Sequence, residues 1–274
     1  NANAVSAPPN RPTIFLSDLH LGAGGQDRDV EADVVRLLNF YRADAEALYL
    51  AGDVFEHYVE YRHAVPKGFV RFQAALARWT DAGKPVTYVV GNHDPWHRDY
   101  FERELGVRVE MDQVEAEHAG YRVHVRHGDG LASISRLYNR IKPILRHPTP
   151  VWLYKTLLPA DLGIGLARWY ARRFGHDELH QSCADDLRAY ARHIVETTPA
   201  DLVVMGHSHM PELTQWPAGT YLNAGHWHAD RTFGLLTPNG PELYQWSPRE
   251  AKPRPLPGPV HREASTSVQP EARN

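Results

Sequence analysis

Four short apolar runs punctuate the chain: Thr13-Ile14-Phe15-Leu16-Ser17, Ala47-Leu48-Tyr49-Leu50-Ala51, Val86-Thr87-Tyr88-Val89-Val90 and Leu202-Val203-Val204-Met205. Their length and continuity predict strands buried on both faces. Helical spacing separates the first three. Val30, Val34, Leu37, Leu38 and Tyr41 predict a helix over 29–42, and Phe69, Phe72, Leu76 and Trp79 predict one over 68–82. Strand and helix in alternation indicate an α/β fold. Residues 121–126 alternate in polarity instead, as in a strand with one more polar face.

After Gly130 helical patterns dominate, over 133–146, about 151–158, 163–173 and about 177–197. Strands resume at 220–223, 232–237 and 242–246. Prolines at 253, 255, 257 and 259 exclude a helix. The expected organisation is a flexible tail over 1–11, a catalytic domain over 12–130 and 199–247, a helical insertion over 131–198, and a disordered proline-rich tail over 248–274.

Composition narrows this picture. The 274 residues are 42% hydrophobic, enough for one large domain or a domain with an insertion. The net charge of −3 argues against a general nucleic-acid binder. The charge is segregated. Residues 136–173 hold eight Lys or Arg against one acid, Asp161, a net of +7, so the remainder carries −10. The single cysteine, Cys183, excludes an intrachain disulfide or a multi-cysteine metal site, and a reducing compartment is expected. No apolar run reaches the ~20 residues of a membrane-spanning helix. Residues 1–10 lack the basic and apolar regions of a signal peptide.

The chemistry sits where strands run out. Five fragments follow in order: Asp18-Leu19-His20, Gly52-Asp53, Gly91-Asn92-His93-Asp94, His127-Gly128-Asp129 and Gly206-His207-Ser208-His209. Each alone is common. Together they offer Asp18, His20, Asp53, Asn92, His127, His207 and His209, enough donors for two metal ions sharing one carboxylate. Such a site hydrolyses phosphate esters and anhydrides. Residues two apart on a strand point the same way, so Asp18 and His20 are expected to converge on one ion. A loop at 207–209 can send its two imidazoles to different ions. The glycines permit sharp exits and close backbone approach. Oxygen and nitrogen donors suit Mn²⁺ best, and Fe, Zn²⁺ or Co²⁺ also match.

This ordered set resembles the calcineurin-like metallophosphoesterase superfamily over about residues 13–246. The resemblance implies a four-layer fold of two packed mixed sheets flanked by helices, with the basic helical segment as an inserted cap. It implies Asp18, His20 and His209 on one metal, Asn92, His127 and His207 on the second, and Asp53 as the bridge. It implies that His93 stabilises the phosphoryl group or protonates the leaving oxygen, with Asp94 orienting His93 through a hydrogen bond.

Within the superfamily the chain is most similar to the UDP-2,3-diacylglucosamine pyrophosphatases of lipid A biosynthesis. The residues that carry this are Leu16 to Leu21, Gly52-Asp53-Val54-Phe55-Glu56, His127-Gly128-Asp129-Gly130-Leu131 and Trp227-His228, with the helical insertion in the same place. The similarity implies a lipid-nucleotide substrate, cleavage to UMP and a lipid 1-phosphate, a cytoplasmic location, and peripheral contact with an anionic membrane through the cap. The cap mixes Ile141, Ile144, Leu145, Val151, Trp152, Leu153, Leu157, Leu158, Trp169 and Tyr170 with its positive charge, as membrane-surface helices do. Three positions depart from that family: His93 stands where it carries Arg, Ser135 where it carries an acid, and its Ser/Lys-rich cap segment has no counterpart over 172–186. The alternatives are another nucleotide, lipid or protein phosphate as substrate, a nuclease, and a catalytically silent scaffold of the same fold.

Overall fold

The four apolar runs divide between two sheets. In the computed structural model, which describes residues 11–131, 136–174, 181–256 and 260–262, three of them pair in parallel as β1 (Thr13–Leu16), β2 (Ala47–Ala51) and β3 (Val86–Val89). The fourth, β7 (Leu202–Met205), lies in the other sheet, parallel to the alternating strand β6 (Tyr121–Arg126). The first sheet has the order β12-β11-β10-β1-β2-β3-β4, adding β4 (Arg108–Glu110), β10 (Thr232–Thr237), β11 (Gly240–Ser247) and β12 (Lys252–Pro255). The second has the order β13-β8-β9-β7-β6-β5, adding β5 (Gln113–His118), β8 (Glu212–Trp216), β9 (Gly219–Asn223) and β13 (Val260–Arg262).

Alternation along each strand builds the layers. Phe15, Tyr49, Val89, Leu202 and Val204 point between the sheets. Ile14, Leu16, Leu48 and Leu50 point outward, under α1 (Asp27–Tyr41) and α2 (Val70–Asp81). Phe72 and Trp79 of α2 are buried there, and Trp79 Nε1 donates to Leu38 O of α1 at 2.9 Å. Each such side chain contributes about 1.5–3 kcal/mol by leaving water. On the far side α7 (Gln181–Thr197) covers Val203, Met205 and Tyr221 with Cys183, Leu187, Ala191 and Val195. The result is four layers: helices, sheet, sheet, helix.

Two boundaries differ from expectation. The stripe at four-residue spacing makes α7 an outer layer of the catalytic domain, so the insertion consists of α4 (Arg136–Arg146), α5 (Pro148–Leu157) and α6 (Ala160–Phe174). The expected helix starts at 133–135 and 177–180 lie outside the described residues. The tail is not disordered throughout. Residues 252–255 form β12 on the edge of the first sheet, and 260–262 pair in parallel with β8. Alternating prolines tolerate this because Pro253 and Pro255 share one hydrogen-bonding side. The missing donors face away from the sheet, and Leu256 N–H, in the same phase as the non-proline residues, donates inward to Leu243 O at 2.9 Å. The tails at 1–10 and 263–274 lie outside the described residues.

Candidate metal centre

The strand ends that carry the motifs meet at one edge of the two sheets. Asp18 N–H donates to Gly52 O at 3.1 Å, His20 N–H to Asp53 O at 3.0 Å, and Gly206 N–H to His127 O at 3.1 Å. The His127 imidazole crosses between the sheets to Ala51 O at 2.8 Å. The loops turn through a rare backbone region. Asp18, His20, Asp53, His207 and His209 all have positive φ, between 42° and 66°. Asp and His tolerate this region better than branched residues do, and such strain gathers at functional sites. The convergence of Asp18 and His20 therefore comes from a left-handed turn beyond β1, not from strand pleating. Gly206 is required for packing, since a Cβ there would collide with Ser17 Oγ and Asp18 Oδ2.

Two groups of donors form. In the first, His20 Nδ1 is engaged by Glu56 Oε2 at 2.8 Å, which leaves Nε2 facing inward, 3.2 Å from His209 Nε2 and 3.7 Å from Asp18 Oδ1. His209 Nε2 is 3.2 Å from the same Asp18 oxygen. Asp18 Oδ2 accepts from Ser17 Oγ–H at 2.5 Å and His207 N–H at 3.0 Å, while the buried Oδ1 has no hydrogen-bond donor. In the second, Nδ1 of His127 is held by Ala51 O, so Nε2 faces Asp53 Oδ2 and Asn92 Oδ1, each at 3.1 Å. His207 packs its ring 5.0 Å from that of His127. Donor atoms of Asp18, His20 and Asp53 lie within 4.8 Å of one another, as do those of Asp53, His127 and His207. Asp53 is thus common to both groups, and all seven expected donors are brought together.

Lone pairs and carboxylate oxygens aimed at one another need a positive charge between them. In the metal-free protein protons supply it. Burial alone would lower the His20 and His127 pKa values, but the neighbouring Asp18 and Glu56 carboxylates raise His20 to about 10, and the Asp53 carboxylate raises His127 to about 10. Asp18 is held well below the usual carboxylate range, despite burial, by His209 and His20. The donor set therefore fits divalent cations, with Glu56 and Ala51 O fixing the tautomers of two imidazoles from behind.

The expected hydrogen bond from Asp94 to His93 does not form. Asp94 is fully buried beneath the site. Its Oδ2 accepts from Val54 N–H at 2.7 Å, Phe55 N–H at 3.2 Å and the Tyr88 hydroxyl, and its Oδ1 accepts from Gly91 N–H at 2.9 Å. It ties the loop of Asp53 to the loop of Asn92. The carboxylate beside His93 is Glu56. His93 Nδ1–H donates to Glu56 O at 3.1 Å and lies 3.7 Å from Glu56 Oε2. The signal for Glu56 was its place three residues after Asp53. Asp129 of the fourth motif holds the cap, accepting at Oδ2 from Lys142 Nζ at 2.8 Å and Arg146 at 3.0 Å. Arg146 also donates to Gly91 O at 3.0 Å and Met111 O at 2.7 Å.

Fold and site together define a metal-dependent hydrolase of phosphoester or phosphoanhydride bonds. The chain belongs to the calcineurin-like phosphoesterase family, whose sequence model matches residues 11–211. It is 31% identical over 216 residues to a UDP-2,3-diacylglucosamine hydrolase of Porphyromonas gingivalis, covering 72% of this chain and 82% of that one. It is 25% identical over 237 residues to the enzyme of the same name from Shewanella pealeana, covering 85% and 97%. Among solved structures, a phosphoesterase from E. coli is similar over 88% of this chain and 96% of that one, at 19% identity and a TM-score of 0.42. Among the described residues no helix is long and apolar enough to cross a membrane.

Proposed function

We propose that the protein hydrolyses the pyrophosphate of UDP-2,3-diacylglucosamine to UMP and 2,3-diacylglucosamine 1-phosphate, in lipid A biosynthesis. Two divalent ions, Mn²⁺ best matching the donors, are held by Asp18, His20 and His209 and by Asn92, His127 and His207, with Asp53 shared. The observation that carries the reading is the convergence of two sets of imidazole lone pairs on the buried oxygens Asp18 Oδ1 and Asp53 Oδ2. Bound there, the ions supply Lewis acidity toward phosphoryl oxygens and activate a water. His93, with its Nδ1 proton fixed on Glu56 O, presents Nε2 to the substrate side. Protonated, it donates to a phosphoryl oxygen or to the leaving oxygen, with the Glu56 carboxylate 3.7 Å from its Nδ1.

The cap supports a lipid substrate. Ile144, Trp152, Leu153, Leu157, Leu162, Leu166 and Trp169 are exposed on α4 to α6, a large apolar surface for a water-facing helix group. Part of the positive charge is turned inward: Lys142 and Arg146 meet Asp129, and Lys155 Nζ donates to Trp96 O at 3.2 Å. Arg168 Nε likewise donates to His57 Nε2 at 3.3 Å, whereas Arg140 remains exposed, and we assign it to an anionic membrane on the cytoplasmic face. Nucleic acid is not the expected partner. His93 in place of Arg favours a second reading, a phosphoesterase acting on another phosphorylated lipid or nucleotide.

The deciding test is turnover of UDP-2,3-diacylglucosamine with added Mn²⁺, followed by product identification. UMP release is expected and is abolished by Asp53→Ala. Cleavage of bis(p-nitrophenyl) phosphate without UMP release would support the second reading. No hydrolysis of either compound with several metals would overturn both.

A further inference from the structure

His226 was not among the expected donors, yet its ring faces the first group. It lies 4.0 Å from the His209 ring, 16° from parallel, and edge-on to His20 at 5.6 Å. Donor nitrogens of His20, His209 and His226 lie within 4.8 Å of one another. The segment carrying it is pinned to the Asp18 turn. Trp227 N–H donates to Ser17 O at 3.3 Å, His228 N–H to Asp18 O at 3.1 Å, and His226 N–H to Thr232 Oγ1 at 3.0 Å. Its backbone is thus fixed, whereas no hydrogen bond among the described residues engages either ring nitrogen.

We propose that His226 is a third imidazole donor at the first metal position, which makes the two positions chemically unequal. The inference rests on the two-metal reading above. The first position then has three imidazoles, His20, His209 and His226, beside the Asp18 and Asp53 carboxylates. The second has two imidazoles beside the Asp53 carboxylate and the Asn92 amide oxygen. Nitrogens bound to one ion at about 2.0–2.1 Å stand at most about 4.2 Å apart. His20 and His209 already satisfy this at 3.2 Å. Stacked on His209, His226 has its lone pairs in a near-parallel plane, so its ligation requires the side chain to turn out of that stack toward the ion. Extra imidazole favours Zn²⁺ or Co²⁺ over Mn²⁺, so the first position selects the softer ion while the second accepts Mn²⁺.

The test is metal binding by the full chain, with two variants that separate ligation from packing. His226→Phe keeps a ring against His209 but offers no nitrogen, and His226→Ala removes both. Chelator competition should give two Zn²⁺ per wild-type chain. Both variants should lose about 10–100-fold in affinity at one of them, with a much smaller change for Mn²⁺. The visible spectrum of the Co²⁺ protein should change in both variants as a donor is lost. Metal-free wild type and variants are compared by circular dichroism to confirm equal folding. If His226→Phe keeps both Zn²⁺ affinities and the Co²⁺ spectrum, the ring only packs and the inference is overturned, while the two-metal reading stands. If the wild type itself binds no divalent ion, the two-metal reading fails with it.

Discussion

Glu56 Oε2 accepts the Nδ1 proton of His20 at 2.8 Å, and so decides which nitrogen of His20 faces the metal-ligating group. The same carboxylate lies 3.7 Å from Nδ1 of His93. Glu56→Gln keeps the shape and removes the charge. Metal affinity at the first position is expected to fall about 10–100-fold, and the rate at saturating metal to fall as well. Metal titration and kcat measured separately check this. A variant with unaltered metal affinity and unaltered kcat would deny Glu56 both roles.

His93 is expected to act on substrate and not to hold metal. His93→Ala should therefore retain its bound metal and lose about 10²–10⁴ in kcat. Elemental analysis alongside steady-state kinetics distinguishes this from loss of a ligand, where metal content would drop.

Asp94 binds the Asp53 loop to the Asn92 loop from below. Asp94→Asn turns one acceptor into a donor that faces backbone N–H groups. A stability loss of about 3 kcal/mol is expected from the unsatisfied buried groups, read by denaturant unfolding of the metal-free protein. Asp94→Ala should behave similarly. Full stability with lost activity would point back to a direct catalytic part for Asp94.

Metal uptake should be linked to pH. In the metal-free fold His20 and His127 hold protons up to about pH 10, whereas the unfolded chain releases them near 6.5. Their ion pairs thus stabilise the metal-free fold fully below about pH 6.5 and fade as pH rises toward 10. Thermal unfolding with chelator present should show Tm falling over that window. At pH 8, calorimetry in buffers of different ionisation enthalpy should show about two protons released as metal binds.

Trp152 and Trp169 stand on the exposed apolar face of α5 and α6. Replacing both with Asp should reduce binding to anionic vesicles by at least about tenfold. Hydrolysis of bis(p-nitrophenyl) phosphate should be unchanged, because both side chains are mostly exposed on the cap. Sedimentation with vesicles checks the first outcome, and equal binding would remove the membrane role of the cap.

The sequence by itself determined the four buried strands, the α/β class and the seven residues proposed as donors. These depend on local signals: an apolar run long enough for a strand, then a polar motif beside glycine where the run ends. Residues whose role depends on elements distant in the chain were not legible. Glu56 and His226 matter because loops 36 and 206 residues from His20 return to it. Asp94 sits next to His93 in the chain but turns away, since Val54, Phe55, Gly91 and Tyr88 offer its carboxylate four donors in a buried site. α7 carries an ordinary amphipathic stripe, and only the second sheet beneath it decided that it belongs to the catalytic layers and not to the cap. The edge strand β12 was hidden for the same reason. Alternate prolines look like disorder until a neighbouring strand defines which side of the backbone must donate.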